Sequence, residues 1–309
     1  MENRIYIVGI GPGREEMMTG EALRVLEQAD VIVGYQAYLD LLGERFQKKE
    51  LLHTAMRQEE ARCRLCFAEA GKGKQVALVC SGDAGIYGMA SLMHEIGQEY
   101  PETELAVVAG VTAASSGAAV LGAPINHDFC VISLSDLLTP WQVIERRLEA
   151  AARGDFVIVL YNPSSRKRKD HLRRAVRILL RTIEGSRACG YVENIARDGT
   201  QANLCTLEEL ENRQVNMFTT VFIGNSDSEI VNGKLITKRG YGIERNIDIC
   251  RDNGRTKAVG ASGCSGDKDP GVRGHGVRGA FIKSGAFGEG ASGADGDGGD
   301  ADVYGGGAV

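Results

Sequence analysis

The 309-residue sequence contains no apolar run approaching the roughly 20 residues that cross a bilayer as a helix, so no membrane partner is expected. It also lacks a basic excess. Its 36 Lys and Arg stand against 41 Asp and Glu, a net charge of −5, whereas nucleic-acid partners usually select a basic face. Two nucleotide signatures are missing. There is no GxxxxGK[ST] phosphate loop, and the dinucleotide pattern G-x-G-x-x-G fails where Arg14 occupies its last glycine position. The acid at about the right distance, Asp30, precedes the second apolar run instead of ending it.

Cysteines are present without a framework. Eight are scattered, several within apolar runs (Cys80, Cys130, Cys189, Cys205), and Cys63-x-x-Cys66 has no second pair at zinc-finger spacing. Buried free thiols in a reducing compartment are the expectation, with no metal. Residues 1–9 lack a basic leader and read directly as a strand, so a cytoplasmic location is expected. The single tryptophan, Trp141, reads as a packing residue at a helix start, and no Ser-His-Asp arrangement is evident.

Three glycine-containing turns are present, each following an apolar run: Gly9-Ile10-Gly11-Pro12-Gly13, Ser81-Gly82-Asp83-Ala84-Gly85 and Ala109-Gly110-Val111-Thr112-Ala113. Each sits where a buried strand should end and a helix begin. In open α/β sheets those strand ends line the ligand crevice, and small residues let backbone come close to a ligand or to other backbone. One pocket is therefore expected where the three turns meet.

Apolar runs at 4–10, 31–33, 75–80 and 104–108 read as strands, with helical periodicity from Thr19 to Ala29 and helices near 58–70, 86–98 and 112–121. Strand and helix alternate, which predicts a mostly parallel sheet. Gly122-Ala123-Pro124 reads as a hinge into a second α/β unit. Its strands are expected near 130–134, 155–161, 187–193 and 217–223, its helices near 140–153 and 165–183, and an antiparallel edge near 203–207. The expected division is residues 1–122, residues 123–244, and a Gly-rich tail over 245–309 whose composition predicts disorder.

Several side chains carry two readings. Asp83 and Thr112 could cap helices or face a ligand from the crevice. His127 beside Asp128 could be a structural histidine or act over a cleft. In Tyr161-Asn162-Pro163-Ser164-Ser165-Arg166-Lys167-Arg168-Lys169, cations at a helix start oppose its dipole. The run is either a solvated face or a site for a polyanion.

Taken in order, GIGPG at 9–13, SGDAGIYG at 81–88, AGVTAA at 109–114 and ITKRGY at 236–241 resemble the tetrapyrrole (corrin/porphyrin) methylases. The resemblance runs from about residue 3 to 244. HDFCVISLSDLLTPWQVIERRL at 127–148 and YNPSSRKRKDHL at 161–172 are similar to the branch of precorrin-3B and cobalt-factor III C17-methyltransferases. The chain departs from the family's pattern at Ala84, where many members have proline, and at Ala109.

The resemblance implies two α/β domains, each a mostly parallel or mixed sheet flanked by helices, with the active cleft between them. It implies S-adenosylmethionine as methyl donor, held by Pro12, Ser81, Gly82, Asp83, Ile86, Thr112, Ala113 and Asn162. It implies a polycarboxylate tetrapyrrole substrate near Gly11, Gly13, Arg14, Arg166, Lys167, Arg168 and Arg239, and a homodimer. The branch also contracts the macrocycle, for which His127, Asp136 and Asp83 are candidate proton carriers.

Overall fold

The computed structural model describes residues 3–55, 57–165 and 168–241; the expected tail, 245–309, lies outside them, as do Arg166 and Lys167. The first sheet contains β1 (Asn3–Gly9), β2 (Val31–Tyr35), β3 (Glu50–Thr54), β4 (Val76–Cys80) and β5 (Thr103–Val108). Their order is β3-β2-β4-β1-β5, and every pairing is parallel. All five residues of β4 are buried, as a strand covered on both faces requires.

Alternation of side chains across the sheet splits its core in two. Ile5, Ile7, Val33 and Leu78 face α3 (Glu59–Ala70) and α4 (Ala90–Gly97). Val8, Ile32, Ala77 and Val79 face α1 (Gly20–Gln28). Thr19 caps α1, its Oγ1 accepting from the Ala22 N–H at 3.1 Å. A short helix α2 (Gln36–Leu39) follows β2.

The chain then runs through α5 (Ala113–Leu121) and the two-residue strand β6 (Gly122–Ala123) at the expected hinge. The second sheet contains β7 (Phe129–Ser133), β8 (Val157–Tyr161), β9 (Ala188–Glu193), β10 (Gln201–Thr206) and β11 (Thr219–Ile223), ordered β10-β9-β11-β8-β7. Only β7 and β8 run parallel; the other three pairs are antiparallel. The sheet is thus mixed, with antiparallel pairing extending well beyond the expected edge.

Helices α6 (Trp141–Arg153) and α7 (His171–Leu179) cover one face with Ile144, Leu148, Leu172 and Val176. On the opposite face α5, reached from the first sheet, packs Ala114, Ala118 and Leu121 against Val159, Val192 and Phe222. Helix α8 (Leu207–Leu210) carries a capping box between Thr206 and Glu209. Finally β12 (Ser228–Val231) and β13 (Lys234–Thr237) form a hairpin whose second strand pairs parallel with β6.

Candidate active site

Parallel strands end on one edge of their sheet, so β1, β2, β4 and β5 deliver their following turns to the same place. There the three glycine turns lock together. Gly11 and Gly82 exchange backbone hydrogen bonds at 3.0 and 2.8 Å. Both glycines adopt left-handed φ, +73° and +70°, which glycine enters without the Cβ penalty. A Cβ on Gly110 would stand 2.1 Å from the Gly82 carbonyl oxygen and 2.7 Å from Gly9. Only hydrogens fit between these turns.

Asp83 completes the lock. Its Oδ1 accepts from the Gly85 N–H at 2.8 Å and its Oδ2 from the Gly110 N–H at 2.9 Å. The carboxylate thus joins the second turn to the third.

The second sheet supplies the opposite wall. Strands β7, β8 and β9 point the same way, and antiparallel β11 begins where they end. Asp136, Tyr161, Asn162, Asn194 and Met217–Thr220 therefore gather at one edge. They line a cavity of about 810 Å³ together with Pro12, Tyr35, Arg57 and Arg62 and the second and third turns. That volume suits a large organic ligand.

Tyr161 and Arg197 are among the side chains that tie the walls together. The half-buried Tyr161 hydroxyl accepts the Ala114 N–H at 2.6 Å and lies 2.5 Å from Thr112 Oγ1. It satisfies an open N–H at the start of α5. Thr112 makes no side-chain cap of its own. Arg197, in the turn after β9, donates from Nε to the Pro12 carbonyl at 2.9 Å and from Nη2 to Ser81 Oγ at 3.3 Å. Its guanidinium lies 5.0 Å from the Phe218 ring centre, a cation–π contact. Burial pulls its pKa below the ordinary arginine value.

Asn162 adopts a left-handed φ of +55° and donates from Nδ2 to Ser133 Oγ at 2.9 Å. Asn tolerates this region better than most residues. Asp136 Oδ2 lies 3.0 Å from Nε2 of His171, a buried histidine held edge-on by Trp141 at 5.0 Å. Burial pushes the Asp136 carboxyl up, but His171, assisted by Arg168, outweighs it and holds the group below its usual range.

The cavity brings together all eight expected donor residues, Pro12, Ser81, Gly82, Asp83, Ile86, Thr112, Ala113 and Asn162, along with Asp136 and Arg168. Others stand apart. Gly11 and Gly13 are buried behind Pro12, with Gly13 closed against the Ala196 carbonyl. Arg14 is exposed at the start of a 3-10 turn, and Arg239 is exposed after β13. His127 sits in the loop before β7, its Nδ1 accepting the Asp128 N–H at 2.9 Å, and does not line the cavity.

Sequence reasoning missed Arg57, Arg62, His171 and Arg197, all of which line the cavity. The first two follow a strand with little apolar signal; His171 lay near the end of the 161–172 segment without being singled out, and Arg197 carried no motif. The Cys63–Cys66 pair is buried in α3, where burial pushes Cys63 up to about 12 and Cys66 well above the ordinary thiol value. Neutral buried thiols are poor nucleophiles and poor ligands.

Comparison with known proteins gives four findings. Residues 4–211 match the family model of the Tetrapyrrole (Corrin/Porphyrin) Methylases. A probable cobalt-factor III C(17)-methyltransferase of Salmonella typhimurium is 43% identical over 77% of this chain and 99% of its own length. The cobalamin biosynthesis protein CbiHC of Archaeoglobus fulgidus is 43% identical over 84% of this chain, which spans only 57% of that longer protein. Among solved structures, the methyltransferase CobJ superimposes with a TM-score of 0.70 at 34% identity, covering 76% of this chain and 99% of that one.

Proposed function

The chain belongs to the tetrapyrrole (corrin/porphyrin) methylases, and we propose that it methylates C17 of a precorrin-3-type macrocycle. The substrate is cobalt-factor III or precorrin-3B, the donor is S-adenosylmethionine, and ring contraction accompanies transfer in cobalamin biosynthesis. The single observation carrying this reading is the mutual lock of three glycine turns facing the second sheet across one cavity. The C17 activity for which the Salmonella relative is named, matched over nearly its full length, supports the choice of position.

The cavity fits such a donor because backbone, freed of side chains at Gly82 and Gly110, forms a close-packed shelf. Pro12, Ser81, Gly82, Asp83, Ile86, Thr112, Ala113 and Asn162 would hold it. The bound sulfonium supplies an electrophilic methyl, so no side-chain nucleophile is needed. The protein's share is orientation: Asp83 fixes the second turn on the third, Tyr161 fixes Thr112 and the start of α5, and Arg197 fixes Pro12 and Ser81. Holding reacting atoms in line at about 3–3.5 Å can supply several kcal/mol of the barrier.

Asp136, backed by His171 and facing the cavity, is the group we assign to proton movement during contraction. A cytoplasmic homodimer completes the reading and rests on the family resemblance. Light scattering on the purified protein measures the assembly.

Incubation with donor labelled in its methyl group and with cobalt-factor III or precorrin-3B tests the reaction. The expected result is label on the macrocycle and a ring-contracted product. Binding of S-adenosylhomocysteine without transfer to either macrocycle would contradict the assigned position.

A further inference from the structure

Four arginines line the cavity: Arg57, Arg62, Arg168 and Arg197. Among the described residues none of them has a carboxylate within ion-pair distance, although other arginines, such as Arg4, Arg64, Arg181 and Arg187, do. Burying a cation without a counter-charge is costly, so each unpaired guanidinium needs an explanation.

Two have one. Arg197 holds Pro12 and Ser81 and stacks on Phe218. Arg62 donates from Nη2 to the Ala55 carbonyl at 3.1 Å, contacts the Met89 sulfur and lies over Tyr35, leaving only its Nε buried without a hydrogen-bond partner.

Arg168 does not, and Arg57 lines the same cavity from the solvent side without a partner among the described residues. Arg168 donates from Nε to Ser165 Oγ at 3.1 Å, but its Nη1 is buried with no partner. Arg57 is exposed, makes no hydrogen bond or ion pair among the described residues, and is near enough to Arg168 to repel it. Like charges gathered in a cavity with an open donor form a site short of one anion.

The cavity's own carboxylates do not supply that anion. Asp83 is occupied by Gly85 and Gly110, and Asp136 lies against His171, facing Arg168 only from beyond ion-pair distance. Glu59 sits in the first turn of α3, where a helix N-terminus already favours it.

We propose that Arg57 and Arg168 together form a carboxylate subsite that takes one acidic arm of the macrocycle. The inference rests on the tetrapyrrole reading above and deepens it by naming which groups select a polyacid. Arg57 follows β3 of the first sheet and Arg168 follows β8 of the second. One carboxylate accepted by both would therefore join the two walls of the cavity. Planar guanidinium forks suit this task because they match a carboxylate's two oxygens.

The test uses uroporphyrin, which bears a carboxylate on every peripheral arm, and its fully methylated ester. Binding to the full-length protein is measured by absorbance titration, with S-adenosylhomocysteine binding followed separately by calorimetry. Arg57→Gln and Arg168→Gln should each weaken uroporphyrin binding about tenfold or more, as expected for losing a charge-assisted contact. Both should leave S-adenosylhomocysteine affinity within about twofold. The double variant should lose less than the product of the single losses, because both arginines hold one group. Arg168→Lys should recover part of the loss.

Unchanged uroporphyrin affinity in both single variants, or equal losses for acid and ester, would overturn the subsite. If the wild-type protein binds neither S-adenosylhomocysteine nor uroporphyrin, the parent reading falls as well. Intact wild-type binding of both with no effect of the variants removes only the subsite.

Discussion

The two sheets meet at one cavity but build their walls differently. In the first, all pairings are parallel, so every strand's carboxyl end lies on one edge. The wall there stands on a backbone lock, glycine stacked on glycine with Asp83 as its clasp, and carries side chains such as Tyr35, Arg62 and Ile86. In the second, three of the four pairings are antiparallel, so the same edge mixes strand ends with the start of β11. Its wall is made of side chains, chiefly Tyr161, Asn162, Asp136 and Met217–Thr220. A backbone lock tolerates no added carbon, whereas a side-chain wall can change its contacts residue by residue. The turns of the first should therefore fix the common donor, while the second, joined by Arg57 from the first, should select the substrate.

The sharpest way to break this contrast is Gly110→Ala. Its methyl would sit 2.1 Å from the Gly82 oxygen, so stability should drop by about 3 kcal/mol and donor binding should vanish. Gly199→Ala is the control. Its φ is +75° but nothing lies within 4 Å of the new Cβ, so only about 1 kcal/mol of backbone strain is expected. Equal losses by denaturant melts would show that close packing of the turns is not what matters.

Asp83→Ala should come next. It releases the N–H groups of Gly85 and Gly110, costing about 2 kcal/mol in total and weakening S-adenosylhomocysteine by tenfold or more in calorimetry. Unaltered affinity would mean that the turns hold their positions without the carboxylate.

Tyr161→Phe should cost least, about 1 kcal/mol, because only the contacts with Ala114 and Thr112 are lost. It also carries a pH signature. Burial raises the Tyr161 pKa above its ordinary 10.0, so the native state holds that proton more tightly than the unfolded chain. The contribution is fully present below pH 10 and is lost as the pH climbs through the raised native value. The stability gap between wild type and variant should therefore narrow above pH 10, and a constant gap in melting curves to pH 11 would refute it.

What the sequence revealed follows the same division. The glycine turns were readable because each combines an apolar run with residues that only a close approach requires, and the eight residues expected to hold a donor all line the cavity. Strand β3 was not: Glu50–Thr54 has no fully buried residue, carries His53 and lies at the sheet's edge. Losing that strand also hid Arg57, which follows it.

Strand direction in the second sheet was unreadable for another reason, since an apolar run such as Val157–Tyr161 looks the same whichever way its neighbour runs. Histidine misled in the same way. His127 attracted attention by its place near the hinge, while His171, which lies against Asp136, stood unremarked in a basic run. Pairings across more than a hundred residues, such as Arg197 with Pro12, leave no local trace.

The most direct test of the account is a crystal structure of the protein with S-adenosylhomocysteine. Electron density between the three turns and Asn162, with Gly110 and Gly82 still in contact, is the predicted result. The same ligand bound at any other surface, with the cavity between the sheets filled only by solvent, would contradict it.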